Sequence, residues 1–178
     1  MNEILPDVIA PGLRILFCGI NPGATSAAAG HSFINPSNRF WRTLYGAGLT
    51  PRLLTAQEDQ SLLGFGLGLT AAAPRPSRRA ADVSRAELRE GAERLRWKVE
   101  TYAPRALAFL GKPAFAAITG QAAVDWGRQA EPFARAEVWV LPNPSGLNRG
   151  FSLERLVAAY ATLAAAVPPA MQSDSFAG

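Results

Sequence analysis

Four short apolar segments limit the fold of this chain more than any other feature of its sequence. They are residues 13–20 (LRILFCGI), 66–70 (GLGLT), 105–111 (RALAFLG) and 137–143 (EVWVLPN). None of them alternates strictly between polar and apolar side chains, as a strand with one face in solvent would. The pattern therefore predicts strands that are covered on both faces, which is typical of a parallel sheet enclosed by helices.

Helix signals lie between these segments. Residues 37–48 place large apolar side chains on one helical face, and residues 55–58 and 84–87 both fit the capping-box pattern. Pro113 suits the first turn of a helix, and Ser152 suits the N-cap of a last one. The alternation predicts an α/β three-layer sandwich, with a central four-stranded parallel sheet flanked by helices and joined by right-handed crossovers.

The 178 residues fit one domain, which we expect to span residues 1–167, with a disordered tail at 168–178. No apolar run approaches the roughly 18 residues of a membrane-spanning helix. The apolar part of the N-terminus is too short for a signal peptide. The sequence predicts a monomer in the cytoplasm that does not associate with a membrane.

Cys18 and His31 are the only cysteine and the only histidine of the chain. A disulfide within the chain and a four-cysteine zinc or iron–sulfur site are therefore excluded. We expect His31, as an unpaired loop residue, to be solvated rather than catalytic. Carboxylates, amides, hydroxyls, arginines and backbone amides remain for any chemistry, and we expect neither a metal nor a cofactor.

The net charge of +4 and the pI near 9.8 come mostly from arginine. Such a balance is compatible with an acidic partner such as nucleic acid. On charge alone, a solvated basic surface is an equally good explanation.

Two Asn-Pro loops follow the first and the fourth predicted strands: GINPG (19–23) and NPSGLNR (143–149). The carboxyl ends of parallel strands share one edge of the sheet, where ligands bind in open α/β folds. The two loops are thus predicted to form two walls of one cleft, although each is also an ordinary turn sequence. GINPG lacks the spacing of known phosphate-binding loops, so it is a weak nucleotide signal.

Three motifs in order, GINPG (19–23), GHSFINPSNRFW (30–41) and LPNPSGLNR (141–149), resemble the mismatch-specific uracil/thymine-DNA glycosylases of the uracil-DNA glycosylase superfamily. The resemblance extends over about residues 13–163. It implies a uracil-DNA glycosylase-like fold and a partner that is double-stranded DNA with a G·U or similar mismatch. The implied enzyme flips uracil, thymine or another modified pyrimidine out of the duplex and hydrolyses its N-glycosidic bond.

The resemblance also assigns residues to the base-binding site. Asn21 is implied to orient the attacking water, and Phe33 to stack on the extruded base. The backbone amides of Ile20 and Phe33 are implied to recognise the polar edge of uracil, while Thr25 and Ser26 border the space for a thymine methyl group. Because an amide cannot take the proton of water fully, we expect slow turnover. The motifs contain no lysine for a Schiff base, so strand cleavage is not expected.

In the third motif, Leu147 resembles the apolar wedge that fills the space left by the flipped nucleotide. Gly146 and Asn148 are implied to approach the widowed guanine, and Arg149 to reach a phosphate.

Five other residues complete the predicted site. By resemblance, Asn143 and Ser145 shape the pocket wall or hold a flanking phosphate. Arg75 and Arg78, in an arginine-rich loop after the second strand, are predicted to contact DNA phosphates. Asp82, in the same loop, is an alternative general base if its carboxylate reaches the pocket.

Two other functions are compatible with these residues. One is a non-catalytic protein that binds DNA lesions on the same fold, since an asparagine is a weak catalyst. The other is an unrelated α/β nucleotide-binding protein.

Overall fold

A computed structural model describes residues 4–73, 75–77, 80–121 and 123–171. The strands in this part of the chain are β1 Ile15–Gly19, β2 Leu67–Ala71, β3 Ala106–Leu110, β4 Gly127–Arg128 and β5 Glu137–Leu141. The α-helices are α1 Ala24–Ala29, α2 Phe40–Gly46, α3 Arg85–Tyr102, α4 Lys112–Thr119 and α5 Leu153–Ala166, and two 3₁₀ helices span Ala56–Phe65 and Ala80–Asp82.

The strands form one sheet in the order β2-β1-β3-β5-β4. The strands β1, β2, β3 and β5 are parallel, as predicted; β1, β3 and β5 lie within three of the apolar segments, and β2 extends one residue beyond the fourth. The predicted number of four is wrong by one, because β4 adds a short antiparallel strand beside β5. With two residues, β4 is too short to carry a periodic pattern. All four parallel strands end at the same edge of the sheet.

Alternate side chains of β1 enter two different cores. Ile15 and Phe17 pack with α2, α5 and the longer 3₁₀ helix, while Leu16 and Cys18 pack with α3 and α4. All four side chains are fully buried. This two-sided burial explains why the segment lacks polar alternation, and each large apolar side chain contributes about 1.5–3 kcal/mol by leaving water.

The predicted helix caps are present. The hydroxyl of Ser84 accepts a hydrogen bond from the amide of Glu87 (3.2 Å), and the Glu87 carboxylate accepts one from the amide of Ser84 (2.8 Å). The hydroxyl of Ser152 caps α5 by accepting a hydrogen bond from the amide of Arg155, without a reciprocal bond. The capping box at Thr55 also forms, but the helix that follows it is 3₁₀.

The helix predicted at 37–48 is shorter, since α2 begins only at Phe40. Asn38 accepts a hydrogen bond from the amide of Phe40 through its side chain (2.9 Å), and the amide of Arg39 donates to the carbonyl of Pro144 (2.9 Å). The residues before α2 are therefore used to contact the loop that follows β5. The short helix α1 was not predicted at all.

Within the described ranges, no helix is both long and apolar enough to cross a membrane. The predicted tail begins at Pro168, whose carbonyl accepts a hydrogen bond from Arg105 (2.6 Å). Residues 172–178 lie outside the described residues, and the domain limits 1–167 stay a prediction.

Gly91 packs α3 against Ala72, the residue directly after β2. A Cβ atom at this position would lie 1.8 Å from the carbonyl oxygen of Ala72, whose amide is bonded to the carbonyl of Gly19. We expect Gly91→Ala to lower the free energy of unfolding by about 2 kcal/mol or more, because the helix must move away from the sheet. Urea denaturation measures this, with Gly64→Ala as the control, since a Cβ there meets no atom within 4 Å. Equal stability of the two variants would contradict the packing.

Candidate active site

A cavity of about 220 Å³ lies at the carboxyl ends of β1 and β2. Residues 4–7 line it as well. Of the residues that the sequence singled out, it brings together Asn21, Ser26 and Phe33. Gly19 and Thr70, at the ends of these two strands, also line it. The predicted binding edge of the sheet thus contains a cavity.

The side chain of Asn21 is held in one orientation. Its Nδ2 donates to the hydroxyl of Ser77 (2.7 Å) and, over longer distances, to the carbonyls of Pro22 (3.3 Å) and Arg75 (3.5 Å). Within the described part of the chain, every hydrogen bond of this amide uses Nδ2. The carbonyl oxygen Oδ1 is therefore available to accept a hydrogen bond from a molecule in the cavity.

The segment 75–77 that orients Asn21 is itself fastened to α3. The amide of Ser77 donates to the carbonyl of Pro22 (3.3 Å). The guanidinium of Arg75 contacts both carboxylate oxygens of Glu87 (2.6 and 3.3 Å) and the carbonyl of Asp82 (2.9 Å). The Arg75 side chain, predicted to contact a phosphate, thus forms a bidentate ion pair with Glu87 of the same chain.

The structure does not bring Asp82 into the cavity. It ends the short 3₁₀ helix Ala80–Asp82, is exposed, and is absent from the described residues that line the cavity. Its main-chain carbonyl is the acceptor for Arg75. Arg78, the other predicted phosphate contact of this loop, lies outside the described residues.

Phe33 lies between the core and the cavity. Its ring stacks on Phe40 with 4.1 Å between the ring centroids and 27° between the planes, and it also lines the cavity. Its φ is +56°, a left-handed conformation that is uncommon for a residue with a large side chain. Such strain costs about 1–3 kcal/mol and is concentrated at functional sites. No pattern in the sequence indicated this backbone geometry.

The three other residues assigned to base recognition lie in different environments. Ser26 lines the cavity, whereas Thr25 is exposed and does not. Ile20 packs its half-buried side chain against the core under α3 and α4, and its carbonyl accepts a hydrogen bond from Ala73 (2.8 Å). Its side chain is therefore part of the core, which leaves only its backbone for recognition.

The prediction that His31 is an unpaired, solvated histidine is wrong. Its Nδ1 lies 3.1 Å from Oδ2 of Asp59, whose side chain is only 5% exposed. Asp59 was missed because it lies in a polar stretch, residues 57–61, that resembles the exposed face of a helix. Its spacing of three residues from the buried Ala56 was the available signal for an inward position.

The loop after β5 is organised by its own side chains. The side-chain oxygen of Asn143 accepts from the amide of Ser145 (2.9 Å), and Asn148 donates back to the carbonyl of Asn143 (2.9 Å). The hydroxyl of Ser145 accepts from the amide of Leu147 (3.2 Å). These bonds form a rigid turn that leaves the Leu147 side chain 92% exposed.

Arg39 is a structural residue that sequence reasoning missed. Its guanidinium donates to the carbonyls of Ser145 (2.8 Å), Asn148 (2.8 Å), Pro144 (3.4 Å) and Phe151. Its position within the motif GHSFINPSNRFW (30–41) was the one sequence feature that pointed to it. Arg39 thus joins the loop after β5 to the residues that directly precede α2.

Residues 143–149 do not line the cavity that Asn21 lines, so the two Asn-Pro loops are not the two walls of one cavity that the sequence had predicted. Gly146 packs so closely on Ser37 that a Cβ atom would lie 2.7 Å from its hydroxyl oxygen. Arg149 is exposed. The loop 143–149, named the rim loop, is thus joined to residues 37–39 before α2 and contributes no described residue to the cavity lining.

Cys18 cannot serve as a nucleophile in this fold. It is fully buried in β1, and burial raises the pKa of its thiol to about 12. Nucleophilic cysteines act as thiolates. Chemistry at the cavity therefore depends on its other groups, which are amides, hydroxyls and the charged side chains of Asp7, Arg94 and Lys98.

Comparison with known proteins shows the family and the fold of the chain. The sequence profile of the uracil DNA glycosylase superfamily matches residues 6–164. The chain belongs to this superfamily. Its fold is similar to the solution NMR structure of a candidate uracil DNA glycosylase from Methanosarcina acetivorans, with a TM-score of 0.58 and 21% identity over 91% of this chain and 98% of that one. The α/β fold predicted from the sequence is confirmed.

The ion pair between Arg75 and Glu87 makes the free energy of unfolding depend on pH in acid. The Arg75 guanidinium and the hydrogen bonds from Ser84 lower the pKa of Glu87 to about 2, from an ordinary value of 4.5. A carboxyl group whose pKa is lower in the folded state stabilises the fold above about pH 4.5, and this contribution is lost as the pH falls toward 2. We expect the free energy of unfolding to fall less steeply over this range in Glu87→Gln than in wild type.

Urea denaturation at several pH values measures these slopes. Glu90→Gln is the matched control, because it removes an exposed carboxylate from the same helix, 3.7 Å from Arg94. Identical slopes for Glu87→Gln and wild type would show that the ion pair does not hold segment 75–77 in solution.

Proposed function

We propose that this protein is a monofunctional, mismatch-specific DNA glycosylase that removes uracil opposite guanine and leaves an abasic site. Thymine and other modified pyrimidines form its wider substrate range. It acts as a monomer on duplex DNA, in the cytoplasm at the bacterial nucleoid, without a metal or cofactor. The observation that carries this proposal is the Asn21 amide, held by Ser77 at the cavity with its oxygen available.

In the reaction, the bond between C1′ of the sugar and N1 of the base breaks, and the base leaves with the electron pair. The oxygen of a water molecule bonds to C1′ and releases its proton to solvent. Oδ1 of Asn21 accepts a hydrogen bond from this water and directs it toward C1′. Since an amide is a poor base, the rate depends on positioning and on stabilisation of the leaving group.

Stabilisation of the leaving base is assigned to the backbone amides of Ile20 and Phe33. The left-handed backbone of Phe33 and the small residue Gly19 support this assignment, because they allow main-chain atoms near the cavity. The Phe33 ring, backed by Phe40, gives an extruded base a firm aromatic surface. Ser26 borders the space proposed for a thymine methyl group.

Hydrolysis without strand cleavage is supported by the environment of Lys98, the one lysine among the described residues that line the cavity. Its Nζ lies 2.5 Å from Oδ2 of Asp7 and donates to the hydroxyl of Thr70 (3.1 Å). A Schiff base requires a neutral, accessible amine. The Lys98 amine is engaged by Asp7 and Thr70 and is not free to attack, so base release by water is the better reaction for this site.

The rim loop is proposed to contact the DNA. Leu147 fills the space of the flipped nucleotide, Gly146 and Asn148 approach the opposite guanine, and Arg149 contacts a phosphate. Unstacking costs about a few kcal/mol and is offset by new contacts. A turn that is already rigid lowers the entropy lost on binding. The net charge of +4 adds general attraction to phosphates.

The Asn21→Ala variant tests the chemistry. We expect single-turnover release of uracil from a G·U duplex, without added metal, to fall by about 10²–10³-fold, as when an active-site hydrogen-bonding group is lost. Ser77→Ala should reduce the rate less, because Asn21 stays but is oriented less firmly. Gln57→Ala, on the surface of a 3₁₀ helix, is the control and should retain the wild-type rate. If Asn21→Ala released uracil at the wild-type rate, the role assigned to Asn21 would be rejected. If wild type bound the G·U duplex without releasing uracil, a lesion-binding protein would be favoured.

The opposite-base preference is tested separately with G·U, A·U and G·T duplexes and single-stranded uracil DNA. We expect the fastest release from G·U, because the rim loop is proposed to read the opposite guanine. Leu147→Ala should lower the rate on the duplexes and leave the single-stranded rate unchanged. Equal rates on all four substrates would contradict mismatch specificity while retaining glycosylase activity.

A further inference from the structure

The pair formed by His31 and Asp59 has no role in the chemistry proposed above. His31 follows Gly30, which ends α1, and Asp59 belongs to the 3₁₀ helix Ala56–Phe65. Neither residue lines the cavity, yet Ser32 and Phe33, which come directly after His31, both do. The pair therefore joins the wall of the cavity to a separate element of the fold.

Because Asp59 is buried, losing this contact costs more free energy than losing a surface ion pair. The Asp59 side chain is 5% exposed, and His31 is its hydrogen-bonding partner within the described residues. A buried carboxylate without a partner is costly. The position of the His31 ring is therefore set by Asp59.

The backbone around His31 transmits this constraint to Phe33. The amide of His31 donates to the carbonyl of Ser26 (3.2 Å), and the amide of Gly30 donates to Ala27 (3.3 Å). Two residues later, Phe33 has its left-handed backbone, a conformation that persists only where the surroundings enforce it. His31 is held by both its backbone and its ring just before this strained residue.

We propose that His31 and Asp59 are a positioning pair that holds the turn 30–33 so that the amide and ring of Phe33 face the extruded base. This proposal rests on the proposed function. The rim loop at Leu147 is held by Arg39 and not by this pair. Loss of the pair therefore weakens capture of the base and leaves contact with the duplex unchanged.

The experiment uses the full chain and two G-containing duplexes. One carries 2′-fluoro-deoxyuridine, whose fluorine slows bond cleavage, and the other a tetrahydrofuran abasic analogue without a base. The variants are His31→Ala, Asp59→Ala, their double variant, and His31→Asn. The Asn variant is the matched control, since its Nδ2 occupies the same place along the side chain as Nδ1 of histidine.

For the uracil duplex we expect affinity to fall about tenfold in both alanine variants, the loss typical of one hydrogen bond to a charged group. The double variant should lose no more than either single variant, because all three remove the same interaction. The double variant also removes the Asp59 carboxylate, which His31→Ala leaves buried without its partner. It therefore tests the proposal even if His31→Ala folds poorly. His31→Asn should bind like wild type, and all variants should bind the abasic duplex equally.

Wild-type affinity of the alanine variants for the uracil duplex would overturn the proposal, and so would an equal loss on both duplexes. Failure of the proposed function looks different: wild type would then neither release uracil nor distinguish the two duplexes. In that case, hydrogen exchange of the Phe33 amide in the free protein decides the question. Faster exchange in His31→Ala than in His31→Asn supports the pair, and equal exchange overturns it.

Discussion

The burial of β1 on both faces is the constraint on which the rest of this structure depends. Alternate side chains of one five-residue strand belong to two cores, so helices must cover both sides of the sheet. Parallel strands follow from that arrangement, and their carboxyl ends then lie at one edge. The loop with Asn21, the cavity and the rim loop with Leu147 are all at this edge. The position of the site is thus a consequence of the packing.

Buried and half-buried side-chain contacts then turn ordinary loops into a site with defined geometry. Arg39 holds the rim loop through four main-chain carbonyls. Arg75 holds the segment that orients Asn21, with Glu87 as its counter-charge. These two arginines lie near the proposed DNA surface, but their guanidinium groups bind carbonyls and a carboxylate of the protein itself. Charge in such a sequence is a poor guide to which arginines contact phosphates, because main-chain carbonyls and carboxylates compete for the same guanidinium groups.

Much of the fold could be predicted because its signals are local. Apolar segments identify the four parallel strands, and capping residues such as Ser84 and Ser152 mark where α3 and α5 begin. The antiparallel β4 and the short helix α1 were missed because each is too brief for a periodic pattern. The pairing of His31 with Asp59 was missed for a different reason. The two residues are 28 positions apart, and only the folded chain brings the polar face of a 3₁₀ helix against the turn before Phe33.

The sequence by itself determined the α/β class, the edge at which the loops gather, and the chemistry that is possible with one cysteine and one histidine. These properties depend on residue type and local spacing, which a chain carries before it folds. The tertiary structure decided which way the Asn21 amide points, that the Asp82 carboxylate is exposed away from the cavity lining, and that Phe33 takes a strained conformation. Those outcomes depend on distances of a few ångströms between residues far apart in sequence. Such distances are set only when the two cores close around the sheet.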